Sequence, residues 1–289
     1  MKSLLLATIK EKYPTMSKGQ RKIADYIREH YDTAAFMTAA AIGNTVQVSE
    51  STVVRFAAEL GFSGYPDLQK FLQELVKTRL TAVQRIEVAS KRMSDDNVVE
   101  KVLSGDTELI RKTLGMVSKT QFNNAVKAIN SARKIYIVGV RSSAALASFL
   151  AFYFNLVYDN VILVDTTGGS EIFESLFRIN EQDVCIVITF PRYSKQTVNS
   201  LNFVSERHAK IIAITDSDKT PVAAVADCLL LAKSDMASFV DSLVAPLSLI
   251  NALIVAATNE RREEIYNNFN QLEEIWDKYQ VYEKDEANE

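Results

Sequence analysis

The 289-residue chain holds only 2 Cys, 2 His, 9 Gly and 5 Pro. Cys185 and Cys228 sit in the apolar runs VCIVITF and DCLLLA and read as small buried hydrophobes. Two Cys and two His without short spacing make no ligand set, so neither a metal, a cofactor nor a disulfide is expected. The scarcity of Gly and Pro excludes collagen-like and long flexible tracts. No stretch approaches the roughly 18 consecutive apolar residues of a membrane span. The opening run MKSLLLATIKEKY is too short for a signal-peptide core and meets charge at Lys10. It reads as the first helix of a folded, cytoplasmic protein with no membrane partner.

What is present is an ordinary globular composition, 47% hydrophobic and 24% charged, on a length that suits two domains. The net charge of -3 is unevenly spread. Residues 1–79 hold 11 Lys+Arg against 8 Asp+Glu, and the remainder holds 22 against 28. A mildly basic head on an acidic body fits a polyanion-binding module on a carrier domain.

The two halves differ in texture. Residues 1–79 read as all helix. Ser17 caps KGQRKIADYIREHY, where Ile23, Tyr26, Ile27 and Tyr31 recur at helical spacing. Two short helices follow at about 38–45 and 50–60, closed by Gly61, and Pro66 suits the first turn of the next helix. Residues 80–118 read as a charged helical linker, broken at SKRMSDDN, with Ser104-Gly105-Asp106 opening a further helix. From about 120, β-branched runs at 134–140, 160–165, 183–190, 210–215 and 227–232 alternate with helical stretches. That alternation predicts a doubly wound α/β domain with a parallel sheet over 119–265, and 266–289 reads as a C-terminal helix and tail.

Within the first half, VSESTVVRFAAELGF has the pattern of a DNA-reading helix. Ser49 caps it, and Val53, Phe56, Ala57 and Leu60 form the buried stripe. Glu50, Ser51, Thr52 and Arg55 then stand at its start or on its outer face, where a helix-turn-helix meets bases and phosphates. Lys18 and Arg21, beside Lys22, add cations at the start of an earlier helix. A helical hairpin that only packs would carry the same stripe, so both readings stand. The turn NTVQ lacks a Gly, although Gly43 lies just before it.

In the second half, the first strand runs into GVRSSAALA and the third into TFPRYSKQTVNSL. Arg141, Ser142 and Ser143, and Arg192, Ser194, Lys195 and Thr197, thus fall at the carboxyl ends of strands and the starts of helices. Open α/β sheets bind ligands there, and free helix N–H groups with hydroxyls suit a phosphate. Each Ser could equally be a plain helix cap. No G-x-G-x-x-G or P-loop is present, so this is no nucleotide fingerprint.

In order and spacing, SKGQRKIADYI, VSESTVVRFAAELGF, KIYIVGVRSSAALA, ITFPRYSKQTV and IIAITDSDKTPVAAVADCLLLA resemble the RpiR family of transcriptional regulators over nearly the whole chain. The resemblance implies an N-terminal helix-turn-helix domain and a C-terminal SIS (sugar isomerase) domain. It further implies double-stranded operator DNA and a phosphorylated sugar effector as partners, and a homodimer or homotetramer. Two features depart from the family. The second Gly of the first loop is missing near Arg141, and Pro191 and Arg192 replace a Ser and a Gly of S-x-S-G-x-T. A guanidinium can still clamp a phosphate.

A sugar-phosphate isomerase is the competing reading, with Glu171 or Glu174 as base. Both also suit helix-start acids. His208 and His30 lie away from the predicted ligand side, so no catalytic residue is assigned. SLVAPLSLINALIVAA in the tail reads as a dimer surface or a core helix.

Overall fold

A computed structural model describes residues 2–77, 81, 83, 85–86, 97–236 and 239–282. The chain forms two compact units, Met1–Asp96 and Asn97–Glu289. No helix among the described residues is long and apolar enough to cross a membrane.

The first unit is helical: α1 (Lys2–Lys12), a 3-10 turn (Tyr13–Thr15), α2 (Lys18–Ala34), α3 (Ala39–Val46), α4 (Glu50–Glu59) and α5 (Tyr65–Lys77). Three of these starts are specified by side-chain caps. Ser17 and Gln20 form a reciprocal capping box, while Thr38 and Ser49 cap α3 and α4. Ile23, Ile27, Ile42, Phe56, Leu68 and Leu72 meet in a fully buried core. The α2–α3 connection is held from α5. The Tyr65 hydroxyl donates to Met37 O, and the Gln69 and Gln73 amides donate to Met37 O and Ala35 O. Burial pushes the Tyr65 phenol up to about 12.

The second unit opens with α6 (Val98–Met116) and α7 (Lys119–Ser131). The expected helix start at Ser104-Gly105-Asp106 is corrected, because α6 runs straight through it. Tertiary bonds override the local breaker: Ser242 Oγ donates to Asp106, and Thr113 Oγ1 accepts the Lys233 N–H. The expected break at residues 90–97 falls outside the described residues except for Asn97.

Strands β1 (Ile135–Gly139), β2 (Val161–Leu163), β3 (Val184–Ile188), β4 (Lys210–Thr215) and β5 (Cys228–Leu231) form one parallel sheet ordered β2-β1-β3-β4-β5. Between them lie α8 (Ser143–Asn155), α9 (Glu171–Leu176) and α10 (Lys195–Glu206), and after β5 come α11 (Val244–Asn259) and α12 (Arg262–Lys278). The 265/266 boundary expected from the sequence lies inside α12. Alternate strand residues face opposite layers. Ile135, Ile137, Ile186 and Ile214 pack under α7, α8 and α11, whereas Tyr136, Val138, Val187 and Ile211 pack under α9 and α10. Both cysteines are free and buried, and desolvation pushes the Cys185 thiol up to about 12.

Candidate functional site

On α4, Val53, Phe56 and Ala57 face the core. Glu50, Ser51, Val54, Arg55 and Ala58 are exposed on the other side. Val54, 41% exposed, stands among the polar residues and was not singled out from the sequence. Listing the positions a helical turn from Glu50 and Ser51 would have found it. The polar residues differ in how far the fold already uses them. Ser49 Oγ accepts the Thr52 N–H and lies 2.9 Å from Ser51 Oγ and 2.8 Å from Thr52 Oγ1. Thr52 is half-buried, because a methyl group on Gly19 would sit 3.3 Å from its own methyl. It therefore packs α4 against the start of α2 instead of pointing outward. Arg55 Nε donates to Ser51 O, keeping the guanidinium near the helix start.

Lys18 is exposed at the first residue of α2. Arg21 is exposed but engaged: it donates to Pro14 O at 2.8 Å and lies over the Tyr13 ring. The turn between α3 and α4 is made by Gln47 in the left-handed region at φ 55, with its N–H on Gly43 O. Gly43 is required by close approach, since a methyl group there would meet Val48 O at 2.7 Å. The glycine missing from NTVQ is thus needed one turn earlier, where the connection folds back.

In the second unit, the order of the sheet reverses between β1 and β3. After β1 the chain enters α8 on one face, and after β3 it enters α10 on the other. Such a switch point opens a crevice at the carboxyl ends of the two strands. Gly139 pairs with Ile188 across the ladder, so the loops carrying Arg141, Ser142 and Ser143 and carrying Arg192 and Ser194 leave neighbouring strand ends. The loop after β2 is tied to both. Thr166 Oγ1 donates to Gly139 O at 3.3 Å, and Gln196 Nε2 donates to Gly168 O at 2.6 Å.

Locally, α8 starts hard against β1: a methyl group on Gly139 would reach 2.4 Å from Ser143 O. Arg141 takes the left-handed turn at φ 59 in place of a glycine. Ser142 and Ser194 occupy the N-cap positions of α8 and α10, yet neither side chain makes a capping bond. Arg141, Ser142, Arg192 and Lys195 are exposed, Ser194 is half-buried, and Ser143 is buried. Thr197, in the first turn of α10, is 1% exposed and its Oγ1 has no hydrogen-bond partner. Tyr193 at the same loop donates to Asp216 Oδ1 after β4. At the end of β2, the Thr167 N–H and hydroxyl hold the Asp165 carboxyl below its usual range. The Glu171 carboxylate lies against Gly168 of its own loop, as suits a helix-start acid.

His208 sits at the opposite, amino end of the strands. There it lines a crevice of about 420 Å³ together with Asp183, Lys210 and Asp227. The carboxylates of that crevice serve the sheet. Asp183 Oδ2 accepts from Arg133 and from the Asn180 N–H, and Asp227 accepts the Ile211 N–H. His30 belongs to the first unit.

Residues 3–78 match the helix-turn-helix domain of the rpiR family, and residues 128–256 match the SIS domain. The chain is 26% identical to the HTH-type transcriptional regulator HexR of Escherichia coli K12 over 283 residues, covering 93% of each chain. Its structure resembles the sugar isomerase domain of an RpiR transcription factor from Sphaerobacter thermophilus, with a TM-score of 0.58 and 28% identity. That match covers 60% of this chain and 97% of the other. It shares its fold with the NanR protein of Vibrio vulnificus, solved in complex with ManNAc-6P, at a TM-score of 0.55 and 19% identity, over 94% of this chain and 97% of that one.

Proposed function

Because the chain belongs to the RpiR family of regulators, with a SIS domain behind its helix-turn-helix domain, we propose that it binds double-stranded operator DNA as a homodimer or homotetramer, and that a phosphorylated sugar or related metabolite in the switch-point crevice changes its operator affinity. The mechanism is a population shift: an effector that binds one arrangement of the assembly better than another moves DNA affinity with it.

The DNA half rests on the outward face of α4. Arg55 suits a guanine edge or a phosphate, Glu50 suits a cytosine amino group, and Ser51 suits several edges. Val54 offers an apolar contact to a thymine methyl. Lys18, and Arg21 where it can leave Pro14, would meet the backbone.

The effector half is carried by one observation. Thr197 buries a hydroxyl without a partner in the first turn of α10, beside Lys195 and the loop that carries Arg192 and Ser194. A phosphate oxygen supplies the missing acceptor, and the cations and the uncapped Ser142 and Ser194 hydroxyls complete its surroundings.

The test is in two stages. Thermal unfolding against a panel of sugar phosphates, ManNAc-6P and sugar-acid phosphates included and inorganic phosphate as control, identifies the effector class. A native-state ligand adds about 2.7 kcal/mol at a hundredfold excess over its dissociation constant. Gel-shift titration on DNA flanking the protein's own gene, with and without that ligand, then reads the coupling, and Arg55→Ala lowers affinity while the protein stays folded. Absence of binding to any such fragment at low salt rejects the DNA half. Sugar-phosphate isomerisation that Glu171→Gln abolishes would replace the regulator reading by an enzymatic one.

A further inference from the structure

Helix α12 is held only in part by its own chain. None of its 17 residues is fully buried, and Ile265, Phe269, Leu272 and Trp276 are half-buried. Yet Ile265, Phe269, Leu272, Trp276 and, just past its end, Tyr279 recur at spacings of 4, 3, 4 and 3, the period of a helix-pairing seam. Ile265 touches the core at the base of the helix. Beyond it, among the described residues, Phe269 stacks edge-on against Trp276 and Trp276 against Tyr282. A helix of this length owes its stability in water chiefly to what its apolar face packs on.

The same unit exposes a second apolar surface. Helices α8 and α11 contain no charged residue at all. A helix that is apolar all round is normally enclosed. Here the two pack side by side on one layer of the sheet, with Phe152, Tyr153, Val244 and Val255 exposed, Phe152 by 61% and Val255 by 59%.

Charge decides which surface meets which. Helix α12 carries five acids and two bases, with Glu273 flanking the seam. Two copies of α12 side by side would oppose like charges, whereas the uncharged face of α8 and α11 costs the seam nothing. We propose that α12 of one copy lies across α8 and α11 of a second copy, and that the second copy returns the same contact. Such a reciprocal contact is self-complementary about a twofold axis and leaves neither face open. The contact deepens the homo-oligomeric part of the reading above and rests on it.

The experiment mixes two single-cysteine variants of the full chain, Phe152→Cys and Leu272→Cys, under mild oxidation. The native Cys185 and Cys228 are buried and stay out of the exchange. The expected result is a covalent dimer in the mixture and none from either variant alone. Leu272→Glu, at a side chain only half-buried in its own chain, is expected to leave the second unit folded and raise the dimer dissociation constant about 30-fold or more in sedimentation. A cross-link from Leu272→Cys alone would mean that the seam pairs with itself and overturns the proposal. So does an oligomer that survives Leu272→Glu and gives no mixed cross-link, which leaves the assembly standing on another surface. A monomer at all concentrations overturns both the contact and the homo-oligomer.

Discussion

Replacing Thr197 by Val separates what the fold needs from what a ligand needs. Valine keeps the shape of threonine and deletes the hydroxyl. In the free protein Thr197 Oγ1 is buried without a partner, and such a group costs about 1–3 kcal/mol of desolvation. Thr197→Val is therefore expected to stabilise the unliganded second unit by about 1–3 kcal/mol. With a sugar phosphate bound, the same hydroxyl donates to a charged oxygen, a bond of about 1.5–3 kcal/mol. Its loss weakens effector affinity about 10- to 150-fold. The two effects have opposite signs, which general damage to the site cannot produce. Urea unfolding followed by Trp276 fluorescence reads the second unit specifically, because the chain has a single Trp and it lies there. A variant less stable than the parent would refute the reasoning, since the hydroxyl would then have a partner. A stabilised variant with unchanged effector affinity would keep the orphan hydroxyl and move the ligand elsewhere.

The contrast with Asp183 supports the choice of Thr197. Asp183 also has an oxygen without a partner, but its second oxygen accepts from Arg133 at 2.7 Å and from the Asn180 N–H at 2.9 Å. That carboxylate already joins the starts of β1 and β3. Thr197 has one polar side-chain atom and the fold gives it nothing, so an external acceptor explains it more simply than a structural role does.

Arg141→Gly relieves a left-handed residue and is expected to stabilise the second unit by about 1 kcal/mol while weakening effector binding, both read in the same ligand-dependent unfolding assay. Ser142→Ala with Ser194→Ala is expected to abolish the effector response of a gel shift and leave affinity for DNA unchanged. An unaltered response would place the effector elsewhere. Val54→Ala is expected to lower affinity for DNA selected by the protein, and uracil in place of the contacted thymine lowers parental affinity alone. Equal sensitivity of both proteins to uracil rejects the contact. Tyr65 and Tyr158 have folded pKa values raised to about 12 by burial. The phenols ionise more readily in the unfolded chain, so their stabilisation is intact below pH 10 and is lost as pH rises toward 12, by about 1.4 kcal/mol per unit for each. Tyr158→Phe should flatten that slope for Trp276-detected unfolding.

The sheet was legible because buried parallel strands are continuous apolar runs. All five expected strands lie within two residues of the observed ends; the β2 run reaches Asp165 while its pairing stops at Leu163. That strand is one of the two edges, and its last residues turn into the loop that holds Thr166 against Gly139. Helix α6 was misread for the opposite reason. Ser104-Gly105-Asp106 has every local mark of a helix start, and only the distant Ser242 and Lys233 reveal that the helix continues through it.

Periodicity identifies which face of a helix is buried, but it does not reveal which polar side chains the fold already occupies. Among the residues expected on the DNA side, Ser49 and Thr52 are held in the cap and the α2 contact, and Arg21 is held by Pro14 and Tyr13. Glu50, Ser51 and Arg55 remain outward, and Val54 joins them as an apolar side chain the fold leaves unused. In the crevice the relation inverts. Thr197 looks from its sequence like one more first-turn hydroxyl, and only three-dimensional burial without a partner distinguishes it from Ser17, Thr38 or Ser49, whose oxygens cap their own helices. A polar group whose bonding capacity exceeds what its own fold uses is the physical mark of a ligand-facing residue, and that excess becomes visible only when every neighbour has been placed.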